Sequence, residues 1–583
     1  MGIPHLKRNL EPYAERGPVK PCNVVVDGPA LAYHVLSLAS RTTIKTSPFE
    51  QPSYGLLGRT AIAWLDKMED CGLTISHIYF DGFLPSSKRP ERIQRLIRLT
   101  KELFRYHSTS VTGVSRERSR HTGDKKVDLF PTSVGGETRA KPPPPSFLVP
   151  AVIDALRSSK YSPITEVVGG EADGFCAAHV QKSGGLVLTS DSDLLVHDLG
   201  KDGGVIFFTD IDLDSEGKRL VAPKFRHAEI CRKLSIKLDV GFSYMAFEIF
   251  TDPHLTLEQA AERSRRGEAV MFSQEEYDAF IKTYLSPEMV PEIISTSGLN
   301  LDPRVSELVL RFSQMTTTPS KEKDEALEMF LPFLLDCPSR TSAWEISRPI
   351  RELAYSLLQS GQKSTLKTVL EMRRLQTLSS GSQADILPSA KVGEEFNHLL
   401  DNINKIKTTI VDPELLWIVL SIYLDIVRTV ERAKGYPLSL EILAQEARGK
   451  LDQHSWDFLH TFAQTQATLY SLRMLQQLLS LKPRKGKVED VVSALSDLPS
   501  LDRFPSVTAF AETLRLLREA GGPRCLIHLC SDMEDIIPHI EAIGKPPKSK
   551  KDRKRKAQPG AVEGHQVRAR PSNPFELLNS RDD

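Results

Sequence analysis

The sequence predicts an α/β domain with a mostly parallel central sheet, followed by a large all-α domain and a disordered basic tail. Up to residue 255, short β-branched runs alternate with helical stretches, a spacing typical of a parallel sheet. Residues 256–543 are instead rich in Leu, Ala, Glu, Lys and Arg at helical spacing. They show neither strand alternation nor an internal sequence repeat of fixed period. Residues 544–583 are polar and basic, so they cannot form a core.

The strands and helices of the first domain follow one another in regular order. We expect strands at short apolar runs bounded by Gly, Pro or Asp, namely Asn23–Asp27, Ser76–Asp81, Ile164–Val168, Leu186–Asp191 and Gly204–Asp210. We expect helices between them, at Ala30–Ala39, Gly55–Cys71, Lys88–Tyr106, Val149–Ser158 and Glu171–Ser183. Residues 108–146 interrupt this order with a polar, non-periodic segment containing four consecutive prolines, which predicts a flexible insertion.

The second domain is expected to be helical throughout. Its clearest helical stretches are Ser306–Met315, Ala343–Leu358, Glu414–Arg432 and Gln453–Leu481. The longest apolar run in the chain, Leu415–Val427, is only 13 residues long and contains Asp425. A bilayer span needs about 20 residues, so we expect a buried helix there and no membrane association.

Composition excludes several classes of protein. The chain has 583 residues, with 76 Lys or Arg and 75 Asp or Glu, so a net charge of +1 excludes a histone-like polycation. Seven scattered cysteines without a CxxC pair argue for a reducing compartment and against a disulfide framework or a zinc ribbon. The first ten residues lack the apolar core of a signal peptide, so we do not expect secretion.

Six carboxylates are expected to meet at one edge of the sheet. Three of them end apolar runs, in VVVD, IYFD and LVLTSD, and the C-terminal ends of parallel strands lie on the edge where ligands bind. A fourth lies two residues after the Asp of LVLTSD, and two more begin a helix in GGEADGF. The six residues are Asp27, Asp81, Glu171, Asp173, Asp191 and Asp193.

Such a cluster needs a counter-charge. Two unit charges about 4 Å apart repel by about 4 kcal/mol at an effective dielectric near 20. No Lys or Arg lies within GGEADGF or TSDSDLL, so a hard divalent cation, Mg²⁺ or Mn²⁺, is the natural partner. Two such ions would suit in-line hydrolysis of a phosphodiester. The alternative is structural, because a single Asp after a strand commonly serves as a turn residue or helix N-cap.

A basic segment follows the second strand. Residues 83–126 contain twelve Lys or Arg and four Asp or Glu, a net charge of +8. In a helix over residues 87–106, Lys88, Arg92 and Arg95 share one face, and we expect them, together with Arg98, to contact a phosphate backbone. A solvated helix face without a ligand is the alternative.

Five ordered motifs in residues 1–255 carry a family resemblance. MGIPHL, VVVDGPALAYH, YFDGFLPSSKRPER, GGEADGFCAAHV and LTSDSDLLV together resemble the flap-endonuclease/XPG-type nuclease superfamily, whose core is a PIN-like domain, and within it the Asteroid-type proteins. The resemblance implies that the six acids form the metal site and that Lys88 and Arg95 are catalytic, steering the scissile phosphate. It also places Gly2 near the site and implies that Asp252 is the last metal ligand.

The sequence departs from the family pattern at three places. Asp173 stands where the family usually has Glu, and Asp252 lies in Thr-Asp-Pro-His where the family has Gly-Ser-Asp-Tyr. The glycine-rich helix–two-turn–helix that should follow is absent, and the chain continues as LTLEQAAERSRR. That element grips duplex DNA in flap endonucleases, so we do not expect flap specificity to carry over.

Two functions follow from these observations. The first is a metal-dependent, structure-selective nuclease that uses Mg²⁺ or Mn²⁺, as two ions, to hydrolyse DNA of single-stranded or branched character in repair or in processing of replication intermediates. The second is a catalytically weak or inactive PIN-like adaptor that binds nucleic acid or protein. A haloacid-dehalogenase phosphatase is a distant third, because neither DGPAL nor DSDLL supplies its D-x-D-x-[TV] motif.

The tail carries two further signals. Residues 545–556 contain eight basic residues and one acid, which favours nuclear import over a merely solubilising segment. The residues expected to form the import signal are Lys550, Lys551, Arg553, Lys554, Arg555 and Lys556. We therefore expect a nuclear protein, and otherwise a cytoplasmic one. The apolar island Asn573–Leu578 is a candidate docking site for a protein partner.

Overall fold

Five parallel strands form the centre of the N-terminal part. They are β1 (Asn23–Asp27), β2 (Thr74–Asp81), β3 (Thr165–Val168), β4 (Gly185–Thr189) and β5 (Gly203–Phe207), in the order β3-β2-β1-β4-β5. β1 is covered on both faces, which explains its unbroken run of valines. The strand order reverses between β1 and β4, and such switch points open a crevice at the C-terminal strand ends. The predicted PIN-like α/β class is confirmed.

The computed structural model describes most of the chain. The described residues are Ile3 and the ranges 5–42, 49–109, 127–131, 142–237, 241–252, 254–266, 274–285, 300–317, 326–359, 366–374, 381–433 and 435–544. Much of the predicted insertion, at 110–126 and 132–141, lies outside these ranges. So do the predicted basic tail from residue 545 onward, with its import signal and docking island, and Gly2.

Helices pack on both faces of the sheet. In chain order they are α1 (Leu6–Leu10), α2 (Gly28–Thr42), α3 (Tyr54–Asp70), α4 (Arg89–Thr109), α5 (Leu148–Arg157), α6 (Ala172–Ser183), α7 (His227–Leu234), α8 (Gly241–Thr251), α9 (Leu257–Arg266) and α10 (Gln274–Leu285). A short antiparallel pair, β6 (Asp212–Leu213) and β7 (Leu220–Val221), follows β5. The five predicted helices coincide with α2 to α6 to within a few residues at each end.

The C-terminal part is predominantly helical, as predicted. Its helices are α11 (Pro303–Thr317), α12 (Arg348–Gln359), α13 (Ser389–Lys407), α14 (Pro413–Glu431), α15 (Leu438–Ala447), α16 (Trp456–Ser480), α17 (Lys487–Ala494), α18 (Val507–Glu519), α19 (Gly522–Leu529) and α20 (Ile537–Gly544). α16 is buried along almost its whole length, and it packs against α11, α12, α14, α15, α17 and α18. No described helix is long and apolar enough to cross a bilayer.

A small mixed sheet is added to these helices. β8 (Leu327–Phe330) pairs in parallel with β9 (Thr368–Met372), which pairs antiparallel with β10 (Ser382–Asp385). These strands correct the expectation that this part is helical throughout. They were missed because β9 carries the fully buried Glu371, which accepts hydrogen bonds from the equally buried Arg351 at 2.6 and 2.9 Å. A charged residue in a core strand breaks the apolar pattern on which strand prediction depends.

Buried ion pairs link the N-terminal elements to the C-terminal ones. The Arg92 guanidinium on α4 donates two hydrogen bonds to Glu307 on α11, at 2.5 and 3.0 Å, and each side chain is only 6% exposed. Arg473 on α16 bonds to Asp154 on α5 at 2.8 Å and to Asp302 at 2.7 Å. Residues 1–544 accordingly form one compact unit. The domain boundary at residue 255 stays a prediction.

The Glu307 ion pair yields a stability prediction. Replacing Glu307 by Gln leaves the Arg92 guanidinium buried without a carboxylate, and breaking a buried pair in this way costs about 3–5 kcal/mol. We expect a lower urea midpoint of unfolding for Glu307→Gln. The matched control is Glu512→Gln, which removes an exposed ion pair with Arg515 and should leave the midpoint nearly unchanged. Equal midpoints for both variants would contradict a structural role for Glu307.

Candidate active site

The C-terminal ends of β1, β2 and β4 border a cavity of about 480 Å³. Side chains from these strand ends, from the start of α4 and from the start of α6 line it. All six predicted acids are among the lining residues: Asp27, Asp81, Glu171, Asp173, Asp191 and Asp193. The structure therefore brings together, in one cavity, the carboxylates that were expected to meet because they follow the ends of parallel strands or begin a neighbouring helix.

Backbone contacts hold these acids in place. The N–H of Ala30 donates to Asp27 Oδ1 at 3.2 Å, and the N–H of Ala172 donates to Asp81 Oδ1 at 2.8 Å. The N–H of Asp193 donates to Asp191 Oδ1 at 2.9 Å. The predicted capping alternative is thus observed for Asp27 and Asp191, whereas Asp81 is held by the distant start of α6. These contacts account for one oxygen of each carboxylate and do not explain why six of them share one cavity.

A close approach of the backbone positions Asp81. Gly82 follows it, and a Cβ at Gly82 would collide with the carbonyl oxygen of Val168 at the end of β3. The N–H of Gly82 donates to the carbonyl of Gly170 at 3.3 Å. The glycine therefore lets β2 end directly beside the turn that carries Glu171, because any larger residue would force the two strand ends apart.

Burial and mutual repulsion hold protons on several of the acids. Asp27 is 4% exposed, and burial, with Asp81 and Asp191 nearby, raises its pKa to about 7 even though the Thr189 hydroxyl donates to its Oδ2 at 2.6 Å. Burial and the adjacent Asp191 raise the pKa of Asp193 to about 6. Burial and four neighbouring carboxylates raise the pKa of Asp173 well above its ordinary value. This is the response expected of an acidic cluster without a counter-ion.

Basic residues from the start of α4 supply part of the counter-charge. Lys88 Nζ lies 3.2 Å from Glu171 Oε1, and this pairing raises the lysine pKa although burial acts in the opposite direction. Arg95 lines the cavity and bonds to Glu91 at 2.6 Å. Seven acidic side chains and three basic ones line the cavity. Its negative charge therefore exceeds what the protein itself neutralises.

Glu91 lines the cavity, although it was not among the residues predicted to form the site. It lies three residues after Lys88 and four before Arg95, so helical spacing alone puts it on the cavity face of α4. Tyr33 on α2 also lines the cavity and is 54% exposed. It is four residues after Pro29, another lining residue, and the same spacing rule could have found it.

Three further predicted site residues stand apart from the acids, and their assigned roles stay predictions. Arg92 reaches the cavity wall, but its charge is buried against Glu307. Arg98 does not line the cavity, and its side chain is 69% exposed beside Glu102. Asp252 does not line it either.

Local bonding explains the placement of Asp252. Its backbone N–H continues the hydrogen bonding of α8 by donating to Glu248 at 2.9 Å. Its Oδ1 accepts a hydrogen bond from the N–H of His254 at 3.0 Å. The side chain therefore stabilises the turn that ends the helix.

The donor set of the cavity fits a hard divalent cation in its chemistry. Carboxylate oxygens are the ligands that Mg²⁺ and Mn²⁺ prefer, and nothing softer lines the space. Within the described ranges, no three His, Cys, Asp or Glu side chains stand close enough together to form a metal-binding group. The acids share a cavity but stay spread around it, as their mutual repulsion requires.

The raised pKa values predict how metal affinity changes with pH. In the metal-free protein, the folded state holds the protons of Asp27 and Asp193 more tightly than the unfolded chain, so their contribution to stability is lost as pH rises toward 7. A bound cation must displace these protons, and its affinity therefore rises with pH. We expect Mg²⁺ or Mn²⁺ to raise the thermal unfolding midpoint more at pH 8 than at pH 6.

Thermal unfolding with and without metal at both pH values measures this difference. Asp252→Asn is the control, because it removes an acid that does not line the cavity, and it should behave as the wild type. An equal metal-induced shift at pH 6 and pH 8 would contradict cation binding by these acids.

Known proteins give independent evidence on the family. Residues 144–386 match the family model described as XPG domain containing. Asteroid homolog 1 of Schizosaccharomyces pombe is 25% identical over 395 residues, which are 64% of this chain and 64% of that protein. The match thus spans a little less than two thirds of the relative's length. A solved structure of the catalytic core of Rad2 in complex with DNA substrate aligns with 55% of this chain and 94% of its own, at 13% identity and a TM-score of 0.27.

The ordered motifs, the parallel sheet with its acidic edge and the first two matches agree. The predicted resemblance to Asteroid-type proteins of the XPG-like nuclease superfamily is therefore confirmed.

Proposed function

We propose that this protein is a Mg²⁺- or Mn²⁺-dependent nuclease that hydrolyses phosphodiester bonds in DNA of single-stranded or branched character. The observation that supports this most is the cavity in which six carboxylates lie beside Lys88 and Arg95. Acids alone would repel a phosphate, and basic residues alone would bind it without activating it. Their combination suits a phosphate that is held together with divalent cations.

Each set of side chains has a separate task in this proposal. Asp27, Asp81, Glu171, Asp173, Asp191 and Asp193 would hold the cations, as a pair of ions. When bound, the cations supply charge neutralisation at the phosphoryl oxygens. Lys88 and Arg95 bind non-bridging oxygens of the scissile phosphate and stabilise the charge that develops there. Lys88 exchanges its present partner, Glu171, for the phosphate as the substrate enters.

Two features of the chain bear on substrate and setting. The family element that grips duplex DNA is absent from the sequence, so we propose a substrate with single-stranded character and a role in repair or in processing of replication intermediates. We also propose that the basic residues 545–556 direct the protein to the nucleus.

The nuclease proposal is tested by metal-dependent cleavage. Labelled single-stranded, hairpin and branched DNA is incubated with purified protein in Mg²⁺ or Mn²⁺. The wild type should cut at least one of them, and Asp191→Ala combined with Asp193→Ala should abolish cleavage, because both acids line the cavity. Equal cleavage by the wild type and the double variant would contradict the proposal. Tight binding without turnover, unchanged by metal, would favour an adaptor instead.

The role of the basic residues has its own matched pair of variants. Lys88→Ala removes a cation from the cavity, and we expect kcat to fall by on the order of 10²–10³-fold, as for loss of one group that stabilises developing charge. Arg98→Ala removes a cation from α4, the helix that follows Lys88, at a position outside the cavity, and it should leave kcat unchanged. Similar losses for both variants would indicate a diffuse electrostatic effect of the helix.

A further inference from the structure

A second cavity, of about 310 Å³, opens beside the acidic one. We call it the apolar annex and define it by five of its lining residues, Leu96, Leu99, Val149, Pro332 and Phe333. All five are half-buried, so each shows part of its side chain to the cavity. The annex lies in the size range of small-ligand pockets, about 300–1,000 Å³.

Three separate segments of the chain build the annex. Leu96 and Leu99 come from α4, Val149 comes from the first turn of α5, and Phe333 lies just after β8. The wall formed by Phe333 thus belongs to the C-terminal part. It is fixed there because Arg89 on α4 bonds to Glu328 of β8 at 2.6 to 2.9 Å. The annex is therefore a built slot between α4 and the small sheet.

The annex is continuous with the acidic cavity. Asp81, Leu84 and Arg95 line both spaces. A group bound in the annex therefore lies next to the position proposed for the phosphate. This continuity makes the annex a subsite of the same centre, so its occupant has to be chemically attached to a phosphodiester.

The lining of the annex also includes a polar group. Arg304 lines it and is 37% exposed, with one guanidinium nitrogen bonded to Glu307 at 3.1 Å. A guanidinium has five N–H donors, so donors remain for a ligand. Apolar walls with a hydrogen-bond donor beside them suit a flat group that is apolar on its faces and polar at its edge. An aliphatic chain would leave these donors unused.

We propose, resting on the proposed function, that the apolar annex binds the nucleobase of a nucleotide next to the scissile phosphate. The base lies between the leucines of α4 and the Phe333 ring, and Arg304 donates to its edge. Single-stranded nucleic acid is commonly bound in this manner, by stacking on apolar and aromatic side chains beside a charged backbone path. The annex would thereby favour a base that is already unpaired.

Binding of matched oligonucleotides tests the proposal. A 5′-labelled thymidine 12-mer and a 12-mer of the same backbone with abasic residues are titrated in Ca²⁺ in place of Mg²⁺ and Mn²⁺, so that a cation offsets the acids while hydrolysis does not interfere. Stacking of one base contributes about 1–3 kcal/mol. The wild type should therefore bind the thymidine 12-mer about 5- to 150-fold more tightly than the abasic one.

Two variants locate the base. Phe333→Ala removes the aromatic wall, and the milder Leu99→Ala removes part of the opposite one. Both should weaken binding of the thymidine 12-mer and leave the abasic 12-mer unaffected. Phe104→Ala is the matched control, because this phenylalanine also lies on α4, is 47% exposed and does not line the annex. Thermal unfolding midpoints verify that each variant is folded.

The outcomes are distinct. Equal wild-type affinity for the two 12-mers, or an equal loss for both of them in the wall variants, overturns the annex as a base site. Base-dependent binding that Phe333→Ala abolishes supports it. Absence of cleavage in Mg²⁺ and Mn²⁺ refutes the proposed nuclease and leaves the binding result standing, so the two failures can be told apart.

Discussion

Mutual repulsion of carboxylates at one edge of a parallel sheet is the constraint on which this molecule depends. Parallel strands all end on the same side, so the aspartates that terminate β1, β2 and β4 are forced into one cavity. Burial makes the repulsion worse, and together they raise the pKa of Asp27 to about 7 and that of Asp193 to about 6. Such an arrangement is costly for stability, and a divalent cation bound there would offset the cost.

The helical C-terminal part contributes directly to this centre. Glu307 on α11 accepts hydrogen bonds from Arg92 and also from Arg304 and Arg311, and Arg311 in turn donates to the carbonyl of Leu84 beside the cavity. These bonds fix the start of α4 and the turn before it, which ends at Lys88. The position of the catalytic candidates thus depends on a residue more than 200 positions away in the sequence. The C-terminal part also supplies the wall of the apolar annex.

Predictions from the sequence agreed with the structure where a local rule was enough to place a side chain. They missed features in which a residue far away in the chain determines whether a charge is paired and buried. Asp81 was assigned to the cavity because a strand-end rule needs only the residues before it. Arg92 was assigned to nucleic acid because helical spacing puts it on the face of Lys88, yet its charge is taken up by Glu307. The three-stranded sheet was missed because Glu371 interrupts the apolar pattern of β9, and its partner Arg351 lies on another element.

By itself, the sequence determined the α/β class, the mainly helical second half, the family resemblance and the six acids of the cavity. Each of these follows from periodicity or from residues near one another in the chain, where the geometry of a strand or helix is already known. Only the tertiary structure decided which charges are buried, that Asp252 stabilises a helix end, and that an apolar annex adjoins the acids. Those features arise from contacts between distant segments, because pairing and burial of a charge depend on what packs against it.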